Sequence, residues 1–554
     1  MSTTTTSSKT KHPKGLYYLF FSEMWERFGF YLMLAIFFLY MIDAQNGGLG
    51  ISKESASDIF GTFIAFVYLT PFLGGLLADR VLGYRLSISI GGILMAIGYI
   101  GLALQGDLAM VAALGLIIIG NGFFKPNIST LLGGLYSAPE YQDKKDTGYN
   151  IFYMGINLGA FIAPFVASYL RNNYGWGYAF AAAGIGMFLG VIIFWLGNKH
   201  YKDADVRKPA AANDMSLTRI FSVVILPAVV AGVLGWVLIP GDIFGSNSTD
   251  AFIFGAIPIM VFYGSLWARA SAEDKRPIAA LLSIFAVVIV FWAIFKQNGT
   301  ALTTWAEYYT DREMVDKLTG PAGAIGMVQE VDQSLATVPD YDENFRSRTD
   351  ANGKVVTKEG MAPYFNNLPR EQWPAEGQPL KLISTELFQS INPLFVILLT
   401  PLVVWFFGFL RQRGKEPSTP AKIMWGLIIT AMSTLVMVGA VFAGMNGAEK
   451  SSAMWLVGSY AVITIGELFL SPMGLSLVSK LSPPRLTALM MGGWFLATSI
   501  GNKLSGVLAS MWDKYDHKAW FFVVNCIGSL LAAFAIFLML RWLREIVKTH
   551  TGKQ

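Results

Sequence analysis

The sequence predicts an all-α membrane protein, and three observations support this fold class. Apolar residues make up 54% of the 554 residues and charged residues only 14%, where a soluble domain carries roughly 25% charged residues. Apolar runs of about twenty residues, the length that crosses a bilayer as a helix, recur to the end of the chain. Basic residues concentrate in alternate short loops, a pattern typical of multi-pass membrane proteins. Disordered, coiled-coil and disulfide-stapled chains are excluded.

We predict about fourteen membrane spans from the apolar segments of spanning length. Loops rich in Lys and Arg remain on the cytoplasmic side. The alternation of loops rich and poor in these residues therefore predicts that both termini are cytoplasmic. The predicted spans are 16–42, 57–78, 87–105, 108–133, 149–170, 177–197, 219–239, 251–269, 278–304, 385–410, 421–444, 453–479, 484–511 and 518–543.

One connection, residues 305–384, is long, rich in Pro and Gly, and more acidic than basic. The alternation of loops places this segment outside the membrane. It is expected to be a solvated appendage or a small folded cap. A role in substrate capture remains an alternative.

Several charged residues fall inside predicted spans, where each costs roughly 2.5–3.5 kcal/mol and therefore needs a reason. Glu23, Glu26 and Arg27 share one helical face, because their spacing is i, i+3, i+4. Lys503 lies near the outer end of its span and could extend to the interface. Lys125, Lys296 and Glu467 also lie inside predicted spans.

The crowded charges of the first span suggest a proton carrier. Two carboxylates beside a cation can change protonation as solvent access changes. All four histidines lie outside the apolar runs, which leaves the glutamates as the candidates. The alternative is a set of ion pairs that only tie helices together. The single cysteine, Cys526, excludes an internal disulfide and a multi-cysteine metal site, and we expect no metal.

Polar and aromatic residues accompany the charges at mid-span, namely Tyr31, Tyr68, Asn157, Asn392 and Trp494. We interpret them as the lining of a cavity that could hydrogen-bond a polar solute. Helix packing and anchoring at the interface are the alternative explanation for such residues.

Five motifs resemble those of known transporters. The run GGLLADRVLGYR at 74–85 resembles the loop signature of the major facilitator superfamily. The runs EMWERF at 23–28, GNGFFKPN at 120–127, FYMGINLG at 152–159 and GELFLSP at 466–472 resemble motifs of the proton-dependent oligopeptide transporter family. Their order along the chain is the family's order, and the resemblance covers nearly everything except the 305–384 insertion.

The resemblance implies a major facilitator fold, with two six-helix bundles around a central cavity and two extra helices between them, as in bacterial members. Such folds work by alternating access. The domains it implies are a cytoplasmic tail at 1–15, an N-terminal bundle at 16–200, a linker with the extra helices at 201–277, a C-terminal bundle at 278–545 that contains the 305–384 insertion, and a cytoplasmic tail at 546–554.

The resemblance also implies roles for single residues. Glu23, Glu26, Arg27 and Lys125 would couple transport to protons, and Arg27 and Lys125 would also bind the peptide carboxylate. Glu467 would receive the peptide amino group. The other substrate-binding residues would be Tyr31, Tyr68, Asn157, Lys296, Asn392, Trp494 and Thr498.

The sequence departs from the family pattern at the outer gate. Leu34 stands where many members have an arginine, and Lys296 stands where they have an acid. Both partners of the usual outer ion pair are therefore absent. We predict that Lys296 reaches a carboxylate of the first span, or binds substrate, in at least one state. Phe30 replaces a tyrosine that binds ligand in the family, and Gly61 stands where animal members have a histidine.

We therefore predict a proton-coupled symporter that imports di- and tripeptides by alternating access. It would act as a monomer in the bacterial inner membrane, driven by the proton gradient, with no cofactor, no catalytic residue and no nucleic-acid partner. The alternatives are the same fold carrying another anionic or zwitterionic solute, such as nitrate or a modified amino acid, a drug/proton antiporter, and a membrane-embedded enzyme. The enzyme alternative finds no support, because the sequence contains neither a zinc-protease motif nor a nucleotide-binding loop.

Overall fold

A computed structural model describes residues 11–104, 106–141, 145–205, 216–239, 246–314, 316–324, 327–351, 354–483 and 486–551. The predicted tails, 1–15 and 546–554, lie partly outside these residues. The α-helices of the described residues are α1 (Gly15–Ile42), α2 (Lys53–Leu77), α3 (Tyr84–Leu102), α4 (Asp107–Leu135), α5 (Lys145–Tyr174), α6 (Trp176–Leu196), α7 (Leu217–Ile220), α8 (Leu226–Leu238), α9 (Asn247–Ala268), α10 (Ala272–Phe295), α11 (Ala301–Tyr308), α12 (Asp316–Ala324), α13 (Ile391–Gln412), α14 (Thr419–Ala443), α15 (Met454–Leu481), α16 (Thr487–Ser510) and α17 (Ala519–Thr551).

Thirteen helical segments of the described chain are long and apolar enough to cross a membrane. Each of them overlaps a predicted span, and the ends differ by several residues. The remaining predicted span, 484–511, forms the 24-residue helix α16, which is not among the thirteen. The predicted seventh span combines α7, a π-helical turn at Phe221–Ile225 and α8.

The predicted ninth span, 278–304, is not one continuous helix. Helix α10 ends at Phe295, a 3₁₀ turn covers Lys296–Gly299, and α11 begins at Ala301. Gly299 is a poor helix former, and a Cβ at this position would lie 2.5 Å from the Phe60 ring. The α-helix is therefore interrupted at Lys296, which lies in the 3₁₀ turn between α10 and α11.

The chain forms two compact units. The first comprises Met1–Leu32, Thr70–Ala163 and Phe180–Pro209. It therefore contains α3, α4, most of α6, the first parts of α1 and α5, and the end of α2. Within this unit α3 packs closely on α4 through glycines. A Cβ on Gly91 would lie 2.6 Å from the carbonyl oxygen of Gly120. The first glycine of the fourth-span motif therefore serves helix packing.

The second unit comprises Met33–Leu69, Pro164–Ala179 and Ala210–Gln554. In it α14 packs on α15 and α17, α10 packs on α16, and α8 packs on α9. Buried side chains of α10, α14, α15, α16 and α17 form one continuous apolar core. The last part of α1 and the first two-thirds of α2 also belong to this unit.

The 305–384 insertion is folded in its described part. It contains β1 (Thr310–Asp311), β2 (Val328–Val331), β3 (Ala336–Pro339), β4 (Thr357–Gly360) and β5 (Leu380–Ile383), and β6 (Ser451–Ser452) follows α14. Strands β2 and β5 are antiparallel, as are β3 and β4, while β1 runs parallel to β6. A small apolar cluster stabilises this cap, formed by Tyr364, Phe365, Leu368, Leu380 and Leu382.

Lys450, just before β6, fastens the cap to the α14–α15 connection. Its Nζ donates to Asn367 Oδ1 at 2.8 Å and to the carbonyl oxygen of Tyr308 at 3.2 Å, and it lies 3.8 Å from the Tyr364 ring centre. Burial, and then the charge of Arg312, lower the pKa of the Lys450 ammonium to about 7.

This lowered pKa predicts a pH-dependent stability of the cap. Because the folded pKa of Lys450 is about 7 and its ordinary value is 10.5, the unfolded state binds more protons between these values. Stability therefore rises as the pH increases from 7 towards 10, by up to about 1.4 kcal/mol per pH unit for one proton. Hydrogen exchange of cap amides at pH 7 and 9 measures this rise. The Lys450→Met variant should flatten it, and an unchanged slope would contradict the assignment.

Candidate functional site

The ionisable residues of α1 form a buried cluster in the first unit. Arg27 Nη2 donates to Glu26 Oε1 at 2.5 Å, Arg27 Nε donates to the other oxygen of Glu26, and Arg27 Nε lies 3.4 Å from Glu23 Oε1. The exposed fractions of Glu23, Glu26 and Arg27 are 3%, 0% and 4%. The second oxygen of Glu23 has no hydrogen-bond partner within the described residues. One arginine thus serves two carboxylates, and Glu23 is the less firmly bonded of the two.

Small residues on α5 and α6 allow these helices to approach α1 at the cluster. A Cβ on Gly159 would lie 3.0 Å from the Phe28 amide and 3.3 Å from Arg27 Cβ. A Cβ on Gly190 of α6 would lie 3.1 Å from the carbonyl oxygen of Ser22. The last glycine of the 152–159 motif therefore fixes the distance between α5 and Arg27.

Lys125 of α4 lies in the same unit and interacts electrostatically with Glu23. Pro126, the next residue of the same motif, lies inside α4. Asn127 Nδ2 donates to the carbonyl oxygens of Phe123 at 2.7 Å and Gly74 at 3.4 Å. The structure therefore brings together Glu23, Glu26, Arg27 and Lys125, the four residues predicted to couple transport to protons, within one unit.

Tyr99 of α3 is a member of this cluster that the sequence did not indicate. It is fully buried, and it interacts electrostatically with Glu26 and Arg27. Its hydroxyl has no hydrogen-bond partner within the described residues. A tyrosine in an apolar span usually anchors a helix at the membrane interface or packs against neighbouring helices. The interaction of the Tyr99 hydroxyl with the ion pair is therefore visible only in the folded structure.

The other predicted binding residues of the first unit are Tyr31 and Asn157. Tyr31 is half-buried one turn beyond Arg27 and interacts with it electrostatically. Asn157 is buried, and its Nδ2 donates to the carbonyl oxygen of Tyr153 at 3.0 Å in its own helix.

A second ionisable group, in the second unit, is centred on Glu467 of α15. Asn392 Nδ2 of α13 donates to Glu467 Oε2 at 3.1 Å and to Thr464 Oγ1 at 2.9 Å. The side chain of Glu467 is half-buried. Asn392 therefore orients a carboxylate that has capacity for a further donor.

Lys296 interacts electrostatically with Glu467. Its Nζ also lies over aromatic rings, 5.4 Å from the centre of Tyr68 and 5.7 Å from that of Trp292. The structure thus brings together Tyr68, Lys296, Asn392 and Glu467 in the second unit. The predicted pairing of Lys296 with a first-span carboxylate, or with substrate, remains a prediction.

Trp494 and Thr498 of α16 lie one helical turn apart and are both buried. Thr498 Oγ1 donates to the carbonyl oxygen of Trp494 at 3.0 Å, so its hydroxyl is used within its own helix. The Trp494 indole packs on the backbone of Gly474 in α15 and edge-on to Phe285 in α10. In this structure Trp494 is a packing residue of the apolar core.

Lys503 does not extend to the membrane interface as the sequence suggested. Its exposed fraction is 1%, and its Nζ lies 2.5 Å from Oδ1 of Asp58 in α2. The prediction was wrong because no local sequence pattern indicates that Lys503 pairs with Asp58, a residue more than 440 positions earlier in the chain.

Long apolar helices that carry ionisable groups, buried on α1 and half-buried on α4 and α15, define a multi-pass membrane transport protein. The profile of the POT family matches residues 85–329 and 381–525. The chain belongs to this family, and the resemblance seen in its motifs is confirmed.

Individual relatives agree over almost the whole chain. An uncharacterized transporter, YclF, of Bacillus subtilis (strain 168) is 32% identical over 95% of this chain and 94% of its own length. The di-/tripeptide transporter of Lactococcus lactis subsp. lactis (strain IL1403) is 31% identical over 94% of this chain and 93% of its own. A crystal structure of a mutant of the peptide transporter POT superposes with a TM-score of 0.74 at 29% identity, covering 97% of this chain and 96% of that chain. The predicted major facilitator fold is confirmed.

Proposed function

We propose that the protein imports di- and tripeptides together with protons by alternating access. The observation that carries the proposal is the buried α1 cluster, in which Glu23 and Glu26 share Arg27. A carboxylate that takes up a proton releases its share of the arginine, so proton binding can change the pairing inside the span. The relative from Lactococcus lactis is named a di-/tripeptide transporter, which supports the substrate class.

The residues that the family resemblance assigns to substrate binding suit the two ends of a zwitterionic peptide. Arg27 and Lys125 offer cations for the peptide carboxylate, and Glu467, oriented by Asn392, offers an anion for the amino group. Charged groups of a ligand are bound best by paired groups that are desolvated with them. The protein would work as a monomer in the bacterial inner membrane with cytoplasmic termini, and it would need no cofactor and have no catalytic activity.

Uptake of labelled dialanine into proteoliposomes tests the proposal. An inward proton gradient should drive accumulation, and a protonophore should abolish it. Unlabelled di- and tripeptides should compete, whereas nitrate and single amino acids should not. Concentrative uptake after collapse of the gradient would contradict proton coupling. Competition by nitrate or a modified amino acid, but not by peptides, would favour the alternative solute.

A further inference from the structure

A buried ion pair joins α2 to α16 in the second unit. Lys503 Nζ lies 2.5 Å from Asp58 Oδ1, and it also donates to Thr62 Oγ1 at 2.6 Å and to Ser248 Oγ at 3.0 Å. The exposed fractions of the Lys503 and Asp58 side chains are 1% and 16%. Such a pair is costly to bury unless its remaining hydrogen bonds are satisfied, and here all three donor positions of the ammonium have an acceptor.

The first turn of α9 completes this arrangement. Ser248 donates to Asp58 Oδ2, and Thr249 Oγ1 donates to Asp58 Oδ1 at 2.9 Å. The helix is capped by Ser246, whose side chain accepts from the Thr249 amide. A helix N-terminus favours a nearby negative charge. Asp58 is therefore held by a cation of α16 on one side and by the start of α9, one of the two extra helices, on the other.

Close backbone packing accompanies the ion pair. A Cβ on Gly61 would lie 2.7 Å from Gly506 Cα, and one on Gly506 would lie 2.6 Å from the carbonyl oxygen of Ser57. Ser499 Oγ donates to the carbonyl oxygen of Ala65 at 2.7 Å. Helices α2 and α16 thus touch over about two turns, and Asp58 lies near one end of this contact on α2.

The contact has a consequence for transport, because α2 belongs to the predicted N-terminal bundle and α16 to the predicted C-terminal bundle. On the predicted topology, the contact lies towards the outer side. Alternating access requires such a contact to open and close. The outer ion pair of many family members is absent here, since Leu34 and Lys296 occupy its positions.

We propose that Asp58, Lys503, Ser248 and Thr249 form an outer latch, and that α9 takes part in gating. The latch stabilises the state that is closed on the outer side. Ser248 and Thr249 are positioning residues that act through Asp58. This proposal rests on the proposed transport function, and it assigns the extra helix pair a role in setting the balance between the two states.

The test measures the outer closure directly, without substrate. Glu54 Oε1 and Lys514 Nζ lie 3.9 Å apart on exposed side chains. Cysteines at these two positions, in a Cys526→Ser background, can carry spin labels. Dipolar broadening of the continuous-wave spectrum should show mainly the short distance in the parent, and double electron–electron resonance should detect the long distance when the outer side opens. Ser248→Ala with Thr249→Ala should raise the ratio of long to short distances about tenfold or more, because two hydrogen bonds to a charged group are lost.

Kinetics separate a latch from a merely structural role. If the outward-open state becomes more populated, the apparent KM for external dialanine should fall, since apparent affinity scales with the competent fraction. A misfolded protein would instead lose activity or show a raised KM. Ser248→Thr with Thr249→Ser retains both hydroxyls and should restore the parental distances.

Two further variants complete the experiment. Ser265→Ala is the matched control. Among the described residues, Ser265 Oγ bonds to the carbonyl oxygen of Phe262 within α9, so both the distances and the KM should stay parental. The charge-exchanged variant, D58K with K503D, keeps an ion pair between α2 and α16. Its outer side should nevertheless be closed less often than that of the parent, since the start of α9 cannot stabilise a cation at position 58. Parental distances and KM in the Ser248/Thr249 double alanine variant would overturn the proposal. Because the distances need no substrate, this result stands even if the solute is not a peptide.

Discussion

Glu26→Gln is expected to reduce proton-driven uptake of dialanine about 100-fold, because breaking a buried ion pair costs roughly 3 kcal/mol or more. Glu26 is fully buried and makes two hydrogen bonds to Arg27. A glutamine can neither release a proton nor hold the arginine as a charge partner. The two states should then no longer exchange in response to the gradient. Initial rates in proteoliposomes at pH 6 outside and pH 7.5 inside measure the loss.

Exchange of peptide for peptide provides the companion measurement, because it requires no net proton movement. We expect exchange by the Glu26→Gln variant to persist at a reduced rate while concentrative uptake is lost. Glu54→Gln is the matched control, since this carboxylate is exposed on α2. Wild-type accumulation by the Glu26 variant would show that this residue does not couple transport to protons.

Glu467→Gln is expected to raise the KM for dialanine by roughly 30-fold or more. A bound peptide ammonium would bury this half-exposed carboxylate in a charge pair, and removing one partner of such a pair costs about 2–5 kcal/mol. The carboxylate is oriented by Asn392 at 3.1 Å, and the peptide ammonium is its expected ligand. The loss should fall on KM more than on kcat, because the interaction is made in the bound ground state.

An N-acetylated dipeptide reveals whether Glu467 recognises the amino group. The parent should discriminate strongly against this neutral analogue, and the Glu467→Gln variant should discriminate far less. Glu449→Gln, an exposed glutamate in the loop before α15, serves as the control. If the variant loses free and acetylated peptides equally, Glu467 supports the structure and does not bind the ammonium.

The spans and the α1 cluster could be predicted from sequence because both depend on local patterns. Twenty apolar residues in a row dictate a membrane helix, and the spacing of Glu23, Glu26 and Arg27 places them on one face without knowledge of any neighbour. The approach of Arg27 Nε to Glu23, four residues before it, follows from that spacing. The break at Lys296 was harder to foresee, because the apolar pattern continues through Gly299 while the backbone does not.

Contacts between distant segments could not be predicted in the same way. Asp58 and Lys503 lie on helices whose facing sides are set by packing, and neither periodicity nor composition specifies a partner. The same holds for the Tyr99 hydroxyl beside the α1 cluster and for the parallel pairing of β1 with β6. A single sequence shows that a charge lies in an apolar segment, but it does not identify the residue that pairs with that charge.

The cap also contacts the beginning of α2. Lys53, the first residue of that helix, donates to the carbonyl oxygen of Phe345 and lies 4.4 Å from the Tyr308 ring centre, while the Val355 amide donates to the carbonyl oxygen of Gly50 at 2.9 Å. Together with Lys450, these contacts connect the cap to two separate segments of the second unit, the start of α2 and the α14–α15 connection. On the predicted topology the cap is extracellular, so an antibody fragment bound to it would act on the start of α2 without occupying the buried charge clusters.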